Sequence, residues 1–196
     1  MKIIAICGFI GSGKDTLASL IPNSIKLSFA STLKDIVSIV FSWDRKLLEG
    51  DTSESRLWRE QVDEWWSNRL NISNLTPRWI LQNWGTEVLR NHFHSDIWIA
   101  CIENKINYLI KNNNDKTIVI TDCRFENEIE CLKKLNTKFI HIQRGNNPEW
   151  IDDYINKSIV PKNVHSSEYL WLNTKFDMII ENNGPLEHLS IIAKVF

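Results

Sequence analysis

The 196-residue sequence has few of the devices that hold secreted or membrane-spanning chains together. Its four cysteines, at 7, 101, 123 and 131, include no Cys-x-x-Cys pair. Zinc and redox-motif readings therefore get no support, and buried free thiols in a reducing compartment are expected. No apolar run approaches the roughly 20 residues needed to cross a bilayer. The apolar stretch at 1–7 leads straight into glycine, without the longer core and cleavage site of a signal peptide. A soluble protein of the cytoplasm is expected. Nor is there an excess of either charge, since 23 Lys and Arg against 24 Asp and Glu leave a net charge of −1. That balance argues against broad electrostatic binding to nucleic acid. An anionic ligand must be met by a local cluster of Lys, Arg and backbone N–H groups.

What is present is an ordinary globular mix, 43% hydrophobic and 24% charged, long enough for one full core. Apolar runs at Lys2–Cys7, Ile25–Phe29, Thr117–Thr121, Phe139–Gln143 and Asp177–Ile180 read as strands. Helical periodicity marks Lys14–Ile21, a helix capped by Ser31 or Thr32 and running to Trp43, Glu126–Leu135 and Pro185–Val195. Between strands two and three the pattern is all helical, over Glu54–Leu70, Pro77–His92 and Asp96–Lys111. Thr76 with Pro77 makes a good helix start, and Ser95 is expected to cap the next. Strands alternating with helices argue for an α/β fold with a central parallel five-stranded sheet covered on both faces. The stretch at about 51–111 is too long for a simple crossover and is expected above one end of the sheet.

Gly8, Gly13 and Lys14 fit the pattern Gly-x-x-x-x-Gly-Lys, with a strand before and a helix after. Glycines let successive N–H groups turn inward toward phosphate oxygens, and the helix N-terminus adds its positive end. Lys14 can reach the β- and γ-phosphates. Gly11 completes the Gly-x-x-Gly-x-Gly-Lys-x-Thr spacing seen in many small-molecule kinases. The chain is therefore expected to bind a nucleoside triphosphate. The usual Mg²⁺-binding Ser or Thr after the lysine is replaced by Asp15, with Thr16 one place later; a carboxylate can hold Mg²⁺ or its water shell.

Three further segments carry more polar groups than core elements need. In parallel sheets ligands bind at the carboxyl ends of strands. Asp122 falls at such an end, where it holds a Mg²⁺ water or orients an acceptor, or else caps the next helix. Arg124 offers a planar fork for phosphate. Glu128 either accepts from a base or sugar or forms an i,i+4 surface pair with Arg124. Around the second segment, Gly85 sits inside a helical pattern, which implies a close backbone approach or a ligand. Gln82 and Thr86 could read a nucleobase, and Trp98 either stacks on a base or packs in the core. A third segment follows strand two at 29–35. His92 and His94, two apart, do not share a helix face, which speaks against a metal pair. The stretch His165–Glu168 reads equally as a helix cap or as part of the acceptor side.

These words, in this order, resemble the deoxynucleoside monophosphate kinases of bacteriophages and large DNA viruses. They are Gly-Ser-Gly-Lys-Asp-Thr at 11–16, Phe-Ala-x-x-Leu-Lys-Asp at 29–35, Trp-Asp-Arg at 43–45 and Leu-Gln-x-x-Gly-Thr-Glu-Val-x-Arg at 81–90. Asp-x-Trp at 96–98, Asp-x-Arg-Phe-x-Asn-Glu at 122–128 and His-x-Ser-Glu at 165–168 complete the set. The resemblance implies a three-layer P-loop NTPase fold, a single kinase domain over 1–196 with a helical, lid-like monophosphate-binding region at about 44–112. It implies transfer of the ATP γ-phosphate to a deoxynucleoside monophosphate, with ATP and Mg²⁺ as cofactors and a homodimer as the assembly. Gly11, Gly13, Lys14, Asp15, Thr16 and Arg78 then serve ATP, and Leu33, Lys34, Arg45, Gly85, Thr86, Trp98, Arg124 and Glu128 the monophosphate. Lys14, Arg78, Asp122 and Arg124 carry the chemistry, and Asp15 and Asp122 hold the metal through water. Arg56 or Arg59 stand as replacements for Arg45. A kinase of another phosphorylated acceptor, such as phosphomevalonate, and a nucleotide-controlled switch are the competing readings. A switch needs no second cationic pocket, whereas this chain offers Arg78, Arg90 and Arg124.

Overall fold

A computed structural model describes residues 2–112, 115–164 and 166–196. It divides into two compact units, Met1–Ser28 with Asn104–Phe196, and Phe29–Glu103.

The first unit holds the whole sheet: β1 (Ile3–Cys7), β2 (Ser24–Leu27), β3 (Thr117–Ile120), β4 (Lys138–Gln143) and β5 (Met178–Glu181). All pairings are parallel, in the order β2-β3-β1-β4-β5, with Ala5 level with Ile120 on one side and Phe139 on the other. A central strand flanked and covered on both faces should be apolar throughout, and every residue of β1 is buried. On one face Ile4, Ile6, Val119, Ile142 and Ile180 pack against α1 (Lys14–Leu20) and α9 (Leu186–Ala193). Helices α7 (Glu126–Lys134) and α8 (Ile151–Lys157) also belong to this unit. Because the strands are parallel, the loops after all five leave the sheet at the same edge.

The second unit is helical: α2 (Ser31–Phe41), α3 (Ser53–Glu60), α4 (Glu64–Leu70), α5 (Pro77–Gln82), a π-helix over Asn83–Phe93, and the start of α6 (Ile97–Lys111). Its core is aromatic, with Phe41 stacked on Trp43 at 4.5 Å and flanked by Trp66 at 4.9 Å and Trp84 at 5.2 Å. No described helix is long and apolar enough to cross a membrane.

The structure corrects several boundaries. The single helix expected over Glu54–Leu70 is two, because the Asp63 side chain accepts from the Trp66 N–H and the Trp43 indole and so starts α4 afresh. Pro77–His92 begins as expected, with Thr76 accepting from Trp79 N–H, but widens after Gln82 into the π-helix. Ser31 is the first residue of α2 and follows an uncapped Ala30, so neither Ser31 nor Thr32 is the cap. Ser95 turns its hydroxyl toward the Asp96 carboxylate, and the Asp96 N–H donates to His94 Nδ1 instead. Helix α8 and the 3₁₀ turns Ser166–Glu168 and Leu170–Asn173 lie in a stretch that carried no clear periodicity.

Candidate active site

In the sheet-bearing unit the loop after β1 leads straight into α1. Gly13 takes φ +101°, a left-handed value that L side chains avoid, and turns the chain into the helix. Gly11 is likewise left-handed, at φ +81°. Lys14 folds back so that Nζ donates to the Gly8 carbonyl at 2.7 Å and to Phe9 at 2.8 Å. The lysine thereby pins the loop that it belongs to. Burial, and after it the charge of Arg124, pull the Lys14 ammonium below its usual pKa, against the weaker opposing pull of Asp15 and Glu168.

Asp15 lies in the first turn of α1. Its Oδ1 accepts from Thr121 Oγ1 at 2.9 Å and pairs with Lys26 of β2. Burial pushes this carboxyl up, but Lys26, Thr121 and Lys14 together bring it below the usual range, so it is an anion at neutral pH. Thr16, next along, is exposed. Asp122 accepts from Ser28 Oγ at 2.6 Å. It is not the cap of α7, which starts at Glu126. Two carboxylates among hydroxyls form the oxygen donor set that Mg²⁺ takes when waters and substrate phosphates fill the rest of its shell. Among the described residues no group of three or more His, Cys, Asp or Glu gathers as a closed metal site. The set thus fits a phosphate-borne Mg²⁺ held through water.

Arg124 shares a small hollow with Lys14, Thr121, Ser167 and Trp171. Its Nη1 pairs with Glu168 at 2.6 Å. The surface pair considered for Arg124 and Glu128 does not form in that way. Glu128 is buried, and its carboxylate accepts from the backbone N–H groups of Arg124 at 2.8 Å and Phe125 at 3.2 Å. It shapes the turn that presents Arg124. Trp171, in the 3₁₀ turn that follows Glu168, sets its ring against Phe9 of the loop at 5.1 Å and His141 at 5.2 Å. His165, the head of that motif, lies outside the described residues.

The remaining expected residues belong to the helical unit. Leu33, Gly85 and Trp98 come together as packing: a Cβ at Gly85 would lie 2.8 Å from Leu33 Cδ2, and the buried Trp98 indole donates to the Gly85 carbonyl at 2.9 Å. This favours the core reading of Trp98 and explains the helical glycine. Lys34 and Arg45 are both drawn to Glu49, and Arg45 also to Asp35. Thr86 and Gln82 are exposed. Arg78 pairs with Glu60 at 3.2 Å.

One residue absent from the sequence reading stands out. Asn182, just after β5 and 8% exposed, donates through Nδ2 to the Ser12 carbonyl at 2.9 Å. A Cβ at Gly13 would come within 2.4 Å of that nitrogen. The signal was available: Asn182-Asn-Gly184 follows the last strand of a parallel sheet, where ligand loops gather. Beyond it a cavity of about 320 Å³ opens beside the loop, lined by Ile10, Ser12, Arg144, Asn146, Asn147 and Glu168.

A family model described as deoxynucleotide monophosphate kinase matches residues 47–192. A protein of Acanthamoeba polyphaga mimivirus that carries the name deoxynucleotide monophosphate kinase is 28% identical over 198 residues, 95% of this chain and 91% of that one. The deoxynucleoside-5′-monophosphate kinase of Escherichia phage T5 is 28% identical over 186 residues, 68% of this chain and 72% of its own. Among solved structures, the dephospho-CoA kinase from Campylobacter jejuni is similar at 16% identity, covering 98% of this chain and 93% of its own with a TM-score of 0.49.

Proposed function

The chain belongs to the deoxynucleotide monophosphate kinase family, and from that membership we propose the reaction in full: ATP and a deoxynucleoside 5′-monophosphate give ADP and the deoxynucleoside diphosphate. The observation that carries this reading is the hollow in which Lys14, at the start of α1, and Arg124, in the loop between β3 and α7, share one lining. A lysine on a phosphate loop serves the donor, and an arginine fork beside it serves a second phosphate.

An oxygen of the acceptor phosphate attacks the γ-phosphorus, and the bond to the β–γ bridging oxygen breaks with ADP as the leaving group. The acceptor is already an anion, so no strong base is required. The work of the protein is to position the phosphates and neutralise charge. Lys14 and the loop N–H groups hold the β- and γ-phosphates, Arg124 meets the group in transfer, and Arg78 is assigned to the ATP phosphates. Mg²⁺, when bound, draws charge from the phosphate oxygens; Asp15 and Asp122 are the residues that would hold it. Leu33, Gly85 and Trp98 act as the frame of the acceptor pocket, with Lys34 and Thr86 as its polar groups. A cytoplasmic setting, that of the host where the source is a virus, goes with this reading.

A coupled assay with Mg-ATP across all deoxy- and ribonucleoside monophosphates tests it. Turnover with one or more deoxynucleotides is expected, and Arg124→Ala should raise the acceptor KM or lower kcat by about a hundredfold while ATP affinity moves far less. ATP hydrolysis unchanged by every nucleotide would point to a switch instead. Turnover only with a non-nucleotide phosphate would move the chain to another acceptor class.

A further inference from the structure

We propose that the Glu168 carboxylate stands in for phosphate: in the empty site it holds the place on Arg124 that a phosphoryl oxygen of a nucleotide takes, and it gives that place up when the phosphate arrives. The proposal rests on the kinase reading for the identity of the ligand, but not for the exchange itself.

Two carboxylates bear on Arg124, and they are held in different ways. Glu128 is buried on α7 and accepts from the backbone N–H groups of Arg124 and Phe125, so it fixes the turn from which the guanidinium projects. Glu168 ends the single 3₁₀ turn Ser166–Glu168 and is only partly buried. The one hydrogen-bond partner of its carboxylate among the described residues is Arg124 Nη1, at 2.6 Å. A carboxylate oxygen so placed makes the same charge-assisted contact with a guanidinium that a phosphate oxygen makes. The first carboxylate belongs to the frame, and the second is anchored at that single contact.

Space and charge both call for the exchange. Glu168 and Arg124 line the hollow shared with Lys14 and Thr121, and this hollow measures about 10 Å³. Roughly 10–15 Å³ of such space is what one water needs, and a phosphoryl group carries three oxygens on its phosphorus. The hollow therefore admits no phosphate while Glu168 stays on Arg124. Glu168 also lines the cavity of about 320 Å³ beside the loop, so the carboxylate has open space to swing into. Electrostatics accounts for its presence. Burial and then the charge of Arg124 lower the Lys14 pKa, and Asp15 and Glu168 work in the other direction. The carboxylate offsets the repulsion between the two cations while the site is empty. Once a phosphate is bound, it becomes a like charge beside that anion. Arg124 itself stays seated, because Glu128 keeps its turn.

Calorimetric titration with inorganic phosphate reads the exchange directly, because carboxylate and anion compete for one fork. Glu168→Gln should bind phosphate about tenfold more tightly than the parent, the gain expected when a competing charged partner is removed. In an Arg124→Ala background the same substitution should change the affinity by about twofold or less, since the shared partner is gone. Phosphate binding that is unchanged, weaker or undetectable in Glu168→Gln would mean that the carboxylate only aims Arg124 or plays no part, and overturns the proposal. So does a tenfold gain that survives Arg124→Ala, which would mark general charge removal. If Glu168→Gln does not fold, Glu168→Asp, which draws the carboxylate back by one methylene, carries the same test, with a gain of about threefold expected. Tighter phosphate binding by Glu168→Gln in a chain that phosphorylates no nucleotide would sink the kinase reading and leave the exchange standing. Nucleotide turnover by the parent without that gain would do the reverse.

Discussion

In the sheet-bearing unit the charged groups of the site are tied to their own frame: Lys14 to the Gly8 and Phe9 carbonyls, Asp15 to Thr121 and Lys26, Asp122 to Ser28, Arg124 to Glu168. In the helical unit the cations divide. Lys34 and Arg45 are closed by Glu49 and Asp35, while the half-buried Arg59 has no hydrogen-bond partner for its Nε among the described residues. The first arrangement fixes donors in place before a ligand arrives, which lowers the cost of reorganisation during transfer. The second pairs Lys34, Arg45 and Arg78 with carboxylates of its own helices and loops and leaves a single Arg59 nitrogen without a partner among the described residues. One unit is a rigid seat, and the other keeps part of its electrostatics open.

The comparison is most directly broken at Lys14. Lys14→Ala should cut phosphoryl transfer by about a hundredfold to a thousandfold, the scale of losing one preorganised charge-stabilising donor, with the far-UV circular dichroism unchanged. A rate near that of the parent would remove the seat from the argument. Asn182→Ala comes next. Freed from Nδ2, the Ser12 carbonyl and the loop lose their brace, so ATP affinity in an equilibrium titration should fall about tenfold and stability by about 1–2 kcal/mol. The acceptor KM should stay put; an equal shift in both would mean that Asn182 holds the fold rather than the loop.

Trp98→Phe sharpens the helical side of the comparison. It deletes the donor to the Gly85 carbonyl and should cost about 1–2 kcal/mol in denaturant unfolding, with any rise in the deoxynucleotide KM following that loss of stability. A raised KM at constant stability would restore the base-stacking role. The smallest effect is expected at Lys26→Met, read by carbon NMR titration of Asp15. The carboxyl should move up toward the ordinary value. Because its folded pKa lies below the unfolded one, of about 3.9, its contribution is present above that pH and is lost as pH falls through the folded pKa. Without Lys26 the loss begins at higher pH. An unmoved Asp15 would assign its depression to Thr121 and Lys14.

The five strands were legible because apolar runs are local signals, and their parallel pairing because helices alternate with them. The phosphate loop was legible for the same reason, since Gly8–Thr16 is contiguous in sequence. What escaped was set at a distance. Asn182 lies 170 residues from Ser12, and nothing local marks it as that carbonyl's partner. Glu128 read either as an acceptor for a base or sugar or as a surface partner of Arg124 at i,i+4 spacing, whereas its carboxylate turns inward to two backbone N–H groups. The break within 54–70 depends on the Trp43 indole reaching Asp63, again a contact that periodicity does not carry.

The π-helix over Asn83–Phe93 has a bearing on how this chain tolerates editing. Its five-residue hydrogen-bond spacing, seen again where His94 N–H donates to the Leu89 carbonyl at 3.0 Å, fits more residues into each turn than an α-helix does. Removing one residue would let the segment relax to ordinary winding, but every position beyond the cut would swing by about 100° around the axis. Exposed side chains along this segment are therefore open to exchange, whereas Trp84 and Gly85 are held by packing and the number of residues is held by the wide turns.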